Sequence, residues 1–100
     1  MSRELLEEIR QRILELPKRK QDELGVAGAE EQRIAILYFK LGEHESCGDW
    51  WVRSAQEAER FGQLIVAHQR LVSASKQLPL HLTLRRELAR LTELLNATLS

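Results

Sequence analysis

Residues 38–51 read YFKLGEHESCGDWW, and they hold a histidine, the only cysteine, two of the five glycines and both tryptophans of the 100-residue chain. Such a stretch is either a chemical centre or a turn between two helices with large anchors to one side. Upstream, the run AEEQRIAILYFKL from Ala29 to Leu41 puts Ile34, Leu37, Tyr38 and Leu41 on one helical face, and Ile36, Phe39 and the Lys40 stem on another. A helix apolar nearly all round is central and buried on two sides. Gly42 suits its C′ position, where glycine enters the left-handed region without a Cβ clash. Downstream, Ser46 and Asp49 match an S-x-x-D capping box for the next helix. Cys47, Trp51, Ser54, Ala55 and Ala58 then share a face, with Trp50 and Phe61 alongside and Gly62 as the stop. Adjacent helical residues point about 100° apart, so Trp50 is the tryptophan expected to face solvent.

Working outward, Leu5, Leu6, Ile9, Ile13 and Leu16 predict an amphipathic helix over 2–16 that Pro17 stops or kinks. PKRKQDEL allows a short helix opened by Pro17, and GVAG at 25–28 reads as a flexible connection. Beyond Gly62, Leu64, His68, Leu71, Ser75 and Leu78, flanked by Ile65 and Val72, form a helix that ends before Pro79. The last helix runs from about Leu80 to Leu95 with a heptad-like seam of Leu84, Leu88, Leu91 and Leu95. That seam serves either packing on the preceding hairpin or homo-oligomer formation. No segment alternates as a strand would. The expectation is an all-α fold of four to five antiparallel helices, a small bundle or stacked helical hairpins in one domain, with hairpins over 29–62 and 63–97.

The central hairpin resembles a tetratricopeptide repeat, a helix-turn-helix unit with the pattern W-x₂-L-G-x₂-Y, then A-x₃-F, then P. With Tyr38 on the family tyrosine, Ile34 takes the leucine position, Ala35 the glycine, Cys47 the alanine and Trp51 the aromatic one. Gly42 falls where such repeats carry a glycine before the turn. The pattern departs at Glu31, where the family has tryptophan, and at Glu59, where it has proline. The resemblance covers 29–62, and no second repeat is readable, since placing Ala67 on the small position puts Arg70 on the tyrosine. It implies a groove lined by the first helix, with Gln32, Ile36, Phe39 and Lys40 facing it. Members that hold a peptide carboxylate use lysine and asparagine along the groove. Ile36 breaks such a clamp, which leaves an apolar helix or extended segment as the guest. The other use of Ile36 and Phe39 is to be covered by the N-terminal helix.

Composition narrows the function. Fifteen basic residues balance fifteen acidic ones, so no global field draws the chain onto nucleic acid or lipid. The middle of the chain is mildly acidic and the last third mildly basic. A lone cysteine excludes an internal disulfide, and MSRELLEEIRQRILEL interleaves charge with leucine where a signal peptide would be continuously apolar. A cytoplasmic protein is expected. The longest mainly apolar run, FGQLIVAHQ, falls far short of the roughly 20 residues that span a bilayer. Asn96 fits N-x-[ST] by chance in that setting.

His44, Cys47 and Asp49 have donor atoms of the right types for a metal, but no second ligand pair completes a site, so no metal and no cofactor are expected. A Cys47–histidine nucleophile pair lacks an orienting third group and an oxyanion scaffold, and P-loop and dinucleotide fingerprints are absent. No catalytic residue is assigned. PKRK at 17–20 reads as a solvated helix end, whereas Arg85, Arg86 and Arg90 form a basic patch able to meet phosphate. The leading expectation is a non-enzymatic adaptor, or a small chaperone-like regulatory subunit. It binds a protein partner through Gln32, Ile36, Phe39, Lys40 and Trp50. The alternative is a nucleic-acid-binding regulator using the arginines.

Overall fold

A computed structural model describes residues 2–21 and 26–99. Among them are six α-helices and no strand: α1 (Ser2–Leu14), α2 (Leu16–Gln21), α3 (Ala29–Leu41), α4 (His44–Arg60), α5 (Leu64–Gln77) and α6 (Leu82–Leu99). The chain is a small all-α helical bundle. Pro17 lacks the N–H that would continue the first helix, so the break falls at Glu15 and α2 follows almost directly. Asp22, Glu23, Leu24 and Gly25, which belong to the PKRKQDEL and GVAG readings, lie outside the described residues.

Helix α4 is the centre: α3, α5 and α6 all pack on it, α1 packs on α3, and α5 packs on α6. Its buried face carries Cys47, Gly48, Ser54, Ala55 and Ala58, small residues that let neighbouring backbones come close. Ile34, Ala35, Leu71, Leu84 and Leu91 from the surrounding helices complete the same core, and Ile9 adds the contribution of α1. A fully buried aliphatic side chain of this size is worth about 1.5–3 kcal/mol.

The turn at Gly42 forms as the spacing predicts. Gly42 N–H donates to Phe39 O and Glu43 N–H to Tyr38 O, both at 3.0 Å, with Gly42 at φ 87°. The Ser46–Asp49 capping box does not form. Once Glu43 N–H has bonded back to Tyr38, the chain re-enters the helix at His44, and Glu43 O already accepts from Cys47 N–H at 2.9 Å. Ser46 and Asp49 therefore lie inside α4.

The start of α3 differs from the flexible connection expected of GVAG. Gly28 is buried at φ 86°, and a Cβ there would stand 2.3 Å from Ser54 O. Ser54 Oγ donates to Gly28 O at 2.7 Å. The guanidinium of Arg70, only 9% exposed, donates to Ser54 O at 3.0 Å and to Ala27 O as well. Ala27 N–H donates to Gln63 Oε1 at 3.1 Å. Arg70, which the repeat pattern could not place, thus fastens α5 to α4 and to the entry of α3.

Nor is PKRK wholly a solvated end. Lys20 lies 2.8 Å from Glu31 Oε2 and 2.8 Å from Glu57 Oε2, joining α2 to α3 and α4. Burial works against the Lys20 ammonium, but the two carboxylates outweigh it and hold its pKa above the ordinary lysine value. The leucine seam of α6 packs within the chain: Leu84 and Leu91 are buried, and Leu88 and Leu95 half-buried. Leu84 and Leu91 are thus spent on the intrachain core, and Leu88 and Leu95 keep part of their surface.

Arg70→Ala removes the donor to Ala27 O and the link from α5 to Ser54 O, and is expected to cost about 2–4 kcal/mol in urea unfolding. Gly28→Ala combines a left-handed backbone with a clash and is expected to cost about as much. Losses under about 1 kcal/mol for both would refute this account of the junction.

Candidate functional site

The exposed face of α3 carries the residues that sequence spacing singled out. Ile36 is 40% exposed and Phe39 38%, Lys40 is exposed and Gln32 half-buried, whereas Ile34, Ala35 and Leu37 on the other faces are buried. Helix α1 does not cover this pair. It packs along the other side of α3, with Arg12 Nη1 3.6 Å from Glu30 Oε2. Phe39 stacks on His44 across the Gly42 turn, with ring centroids 5.3 Å apart and planes at 18°. The stack holds the Phe39 ring flat at the end of the face.

Trp50 does not join them. It is 8% exposed, and the Arg53 guanidinium covers its ring at 4.4 Å. Both tryptophans are buried because α4 is surrounded on several sides, which the pattern of one helix does not reveal. Cys47 is also buried, and burial pushes its thiol up to about 11, an effect that the neighbouring Trp51 indole only partly opposes. A thiol that stays protonated at neutral pH is a packing group and a poor nucleophile.

The basic patch on α6 is divided. Arg85 and Arg86 are exposed. Arg90 is held by Glu59 at 2.9 and 2.6 Å and by Glu87 at 3.0 and 3.2 Å. These hydrogen bonds hold both carboxylates below their ordinary range, with burial opposing. Arg90 therefore joins α6 to α4 and is not a free phosphate ligand.

A group that sequence reasoning missed lies at the end of the bundle where α4 begins. His81 is buried, with Nδ1 accepting from Leu84 N–H at 3.1 Å and Nε2 2.9 Å from Glu45 O. The Glu45 and Asp49 carboxylates stand 3.6 and 3.4 Å from Nε2, and the three side chains could in principle surround a cation. Hydrogen bonding argues otherwise. A backbone N–H only donates, so Nδ1 presents its lone pair and Nε2 carries the proton, directed at Glu45 O. A metal on Nε2 would move that proton to Nδ1 and break the cap of α6. His81 is instead a clamp between α6 and α4. Gly48 makes room for it, since a Cβ there would fall 2.1 Å from the imidazole. Beside the clamp opens a cavity of about 240 Å³ lined by His44, Glu45, Leu78, Leu80 and His81 among others. The cue in the sequence was faint: a histidine two residues after Pro79 and one before an apolar run is a helix-cap position.

No family model matches the chain, and neither the curated proteins nor the solved structures contain a match to it.

Two outcomes test these contacts. His81→Leu is expected to lose about 2–3 kcal/mol, and His81→Asn, which keeps an acceptor for the α6 cap, about half that in the same denaturant titration. Equal losses would remove the capping role. Arg90→Ala is expected to cost about 1 kcal/mol at pH 7. Because Glu59 and Glu87 titrate below their ordinary range in the folded chain, their contribution is present above that range. It is lost as pH falls through their folded values. The difference between Arg90→Ala and the parent should therefore shrink to nothing under strong acid, and a difference independent of pH would contradict the assignment.

Proposed function

We propose that the chain is a non-enzymatic protein-interaction module, a small adaptor or chaperone-like regulatory subunit, that seats a partner helix or peptide on the exposed face of α3. One observation carries the reading: on a helix whose other sides are core, Ile36 and Phe39 stay open to solvent one turn apart in its second half, with Gln32 and Lys40 beside them. The more exposed Leu14, Phe61, Ile65, Leu80, Leu82 and Leu99 stand at helix ends or in turns, where single apolar residues are ordinary, and Leu6 and Leu94, exposed within α1 and α6, have no second exposed large apolar residue one turn away. A pair one turn apart is the spacing by which a helix-in-groove partner is read.

The tetratricopeptide-like reading of 29–62 is supported by the burial of Ile34, Ala35, Cys47 and Trp51, the positions that the repeat pattern fills for close packing. The buried thiol supports a module without thiol catalysis, and a cytoplasmic location is part of the proposal. No described helix is long and apolar enough to cross a membrane. The nucleic-acid reading is weakened by the commitment of Arg90 to Glu59 and Glu87.

The test is recovery of a partner from the source cell with the tagged chain. Ile36→Asp and Phe39→Asp should each lower that recovery at least tenfold, by the cost of burying an unpaired carboxylate in an apolar contact. Arg85→Glu with Arg86→Glu, and Cys47→Ala, should leave it unchanged. Binding lost with the arginines and steeply salt-sensitive would establish the nucleic-acid alternative instead.

A further inference from the structure

We infer that the segment docking on α3 continues past Phe39 over His44 and places a basic side chain in the cavity beside His81, its cation paired with the Glu45 and Asp49 carboxylates. This rests on the docking role proposed for α3 and adds the reach and the chemistry of the partner.

The reach follows from energy. Ile36 and Phe39 have given more than half of their surface to the fold, so these two anchors alone do not offset the entropy lost on association. A docked segment has to gain contacts beyond α3, and the Phe39 ring leads to them. It stacks on His44 at 5.3 Å between centroids, and His44 lines the cavity of about 240 Å³ together with Glu45, Leu78, Pro79, Leu80 and His81. Leu80 is 87% exposed, the most open of the large apolar side chains described. The stem of a lysine or arginine lies against such a wall while its charged head stays at the rim.

The rim is acidic. The carboxylates of Glu45 and Asp49 stand 3.6 and 3.4 Å from His81 Nε2 and within 4.8 Å of each other. Two carboxylates this close repel one another, and a cation between them relieves the repulsion. None is supplied from within. Among the described residues, no lysine or arginine stands within ion-pair distance of Glu45, of Asp49 or of Glu43, which is exposed on the turn before them. The cations nearby in the chain are placed otherwise. Lys40 and Lys76 close α3 and α5 without lining the cavity, Arg53 lies over Trp50, and Arg85, one turn beyond His81, pairs with neither acid. The net charge of the chain is zero, so the preference for a basic residue is local to this rim. An acidic residue of a partner would meet like charge there.

The probe is a fluorescein-labelled helical peptide of about fourteen residues built on alanine and glutamine, with two leucines three positions apart and an arginine one turn beyond each, so that either direction of docking serves. The control has glutamine at both arginine positions. In fluorescence anisotropy at low salt the arginine peptide is expected to bind about tenfold more tightly than the control. Glu45→Gln with Asp49→Asn changes two exposed side chains and leaves the bond from His81 to the Glu45 backbone oxygen in place. With its fold checked by circular dichroism, this variant should bind both peptides alike, and Ile36→Asp should abolish binding of both. An arginine advantage that persists in the double variant would refute the pairing with these carboxylates. If the parent binds both peptides equally and Ile36→Asp abolishes both, the docking face stands and the basic residue is refuted. If neither peptide binds, both the face and its extension fall.

Discussion

The Arg70 guanidinium occupies a place where a charge is expensive, since an unpaired buried ion costs several kcal/mol. It is tolerated because backbone carbonyls surround it. Ala27 O and Ser54 O accept its protons: the first precedes the first turn of α3, and the second lies in mid-α4, where its second lone pair remains open beside the intrahelical bond. Position 28 must then be glycine, because Ser54 O comes too near for any Cβ. The junction fixes the spacing of the layer. With a long side chain spanning from α5 to the entry of α3, the two helices rest on α4 without closing over it. The open face of α3 follows from that spacing.

A second polar element acts at the opposite end. His81 caps α6 with one ring nitrogen and bonds to the first turn of α4 with the other, so the α5–α6 connection cannot drift from the centre of the bundle. On α3, Glu30 is turned inward to Arg12 and Arg33, and Glu31 to Lys20. Buried acids paired in this way contribute little net stability, but they set which charges remain outside.

The features legible in the sequence are local ones. The apolar period fixes each helix, Gly42 and Gly62 fix two turns through their own backbone freedom, and Ile36 and Phe39 follow from a helix with more apolar residues than one face can hide. What escaped depends on partners distant in sequence. The capping box at Ser46 and Asp49 is a sound local signal that yields to the Gly42 turn, which restarts the helix earlier. Trp50 is buried because several helices surround α4, and Arg90 is occupied by a glutamate 31 positions away. Arg70 read as a flaw in a repeat because its use is tertiary. Polar residues were misread more often than apolar ones, since a hydrogen bond has a specific address and the hydrophobic effect does not.

The outer faces of the two end helices narrow where a partner would be held. Arg3, Glu4, Glu7, Glu8, Arg10 and Gln11 on α1 are exposed, and so are Thr83, Arg85, Arg86, Glu93 and Asn96 on α6. Leu6 and Leu14 on α1, and Leu82, Leu94 and Leu99 on α6, are exposed among these polar residues. Ile36 and Phe39 have already surrendered more than half of their surface to the fold, so covering the remainder yields about 1 kcal/mol each. Two such anchors cannot offset the entropy lost on association, a cost of at least about 4 kcal/mol. A contact confined to α3 would be fleeting. Tight binding at this face would require a partner that also engages elements beyond α3.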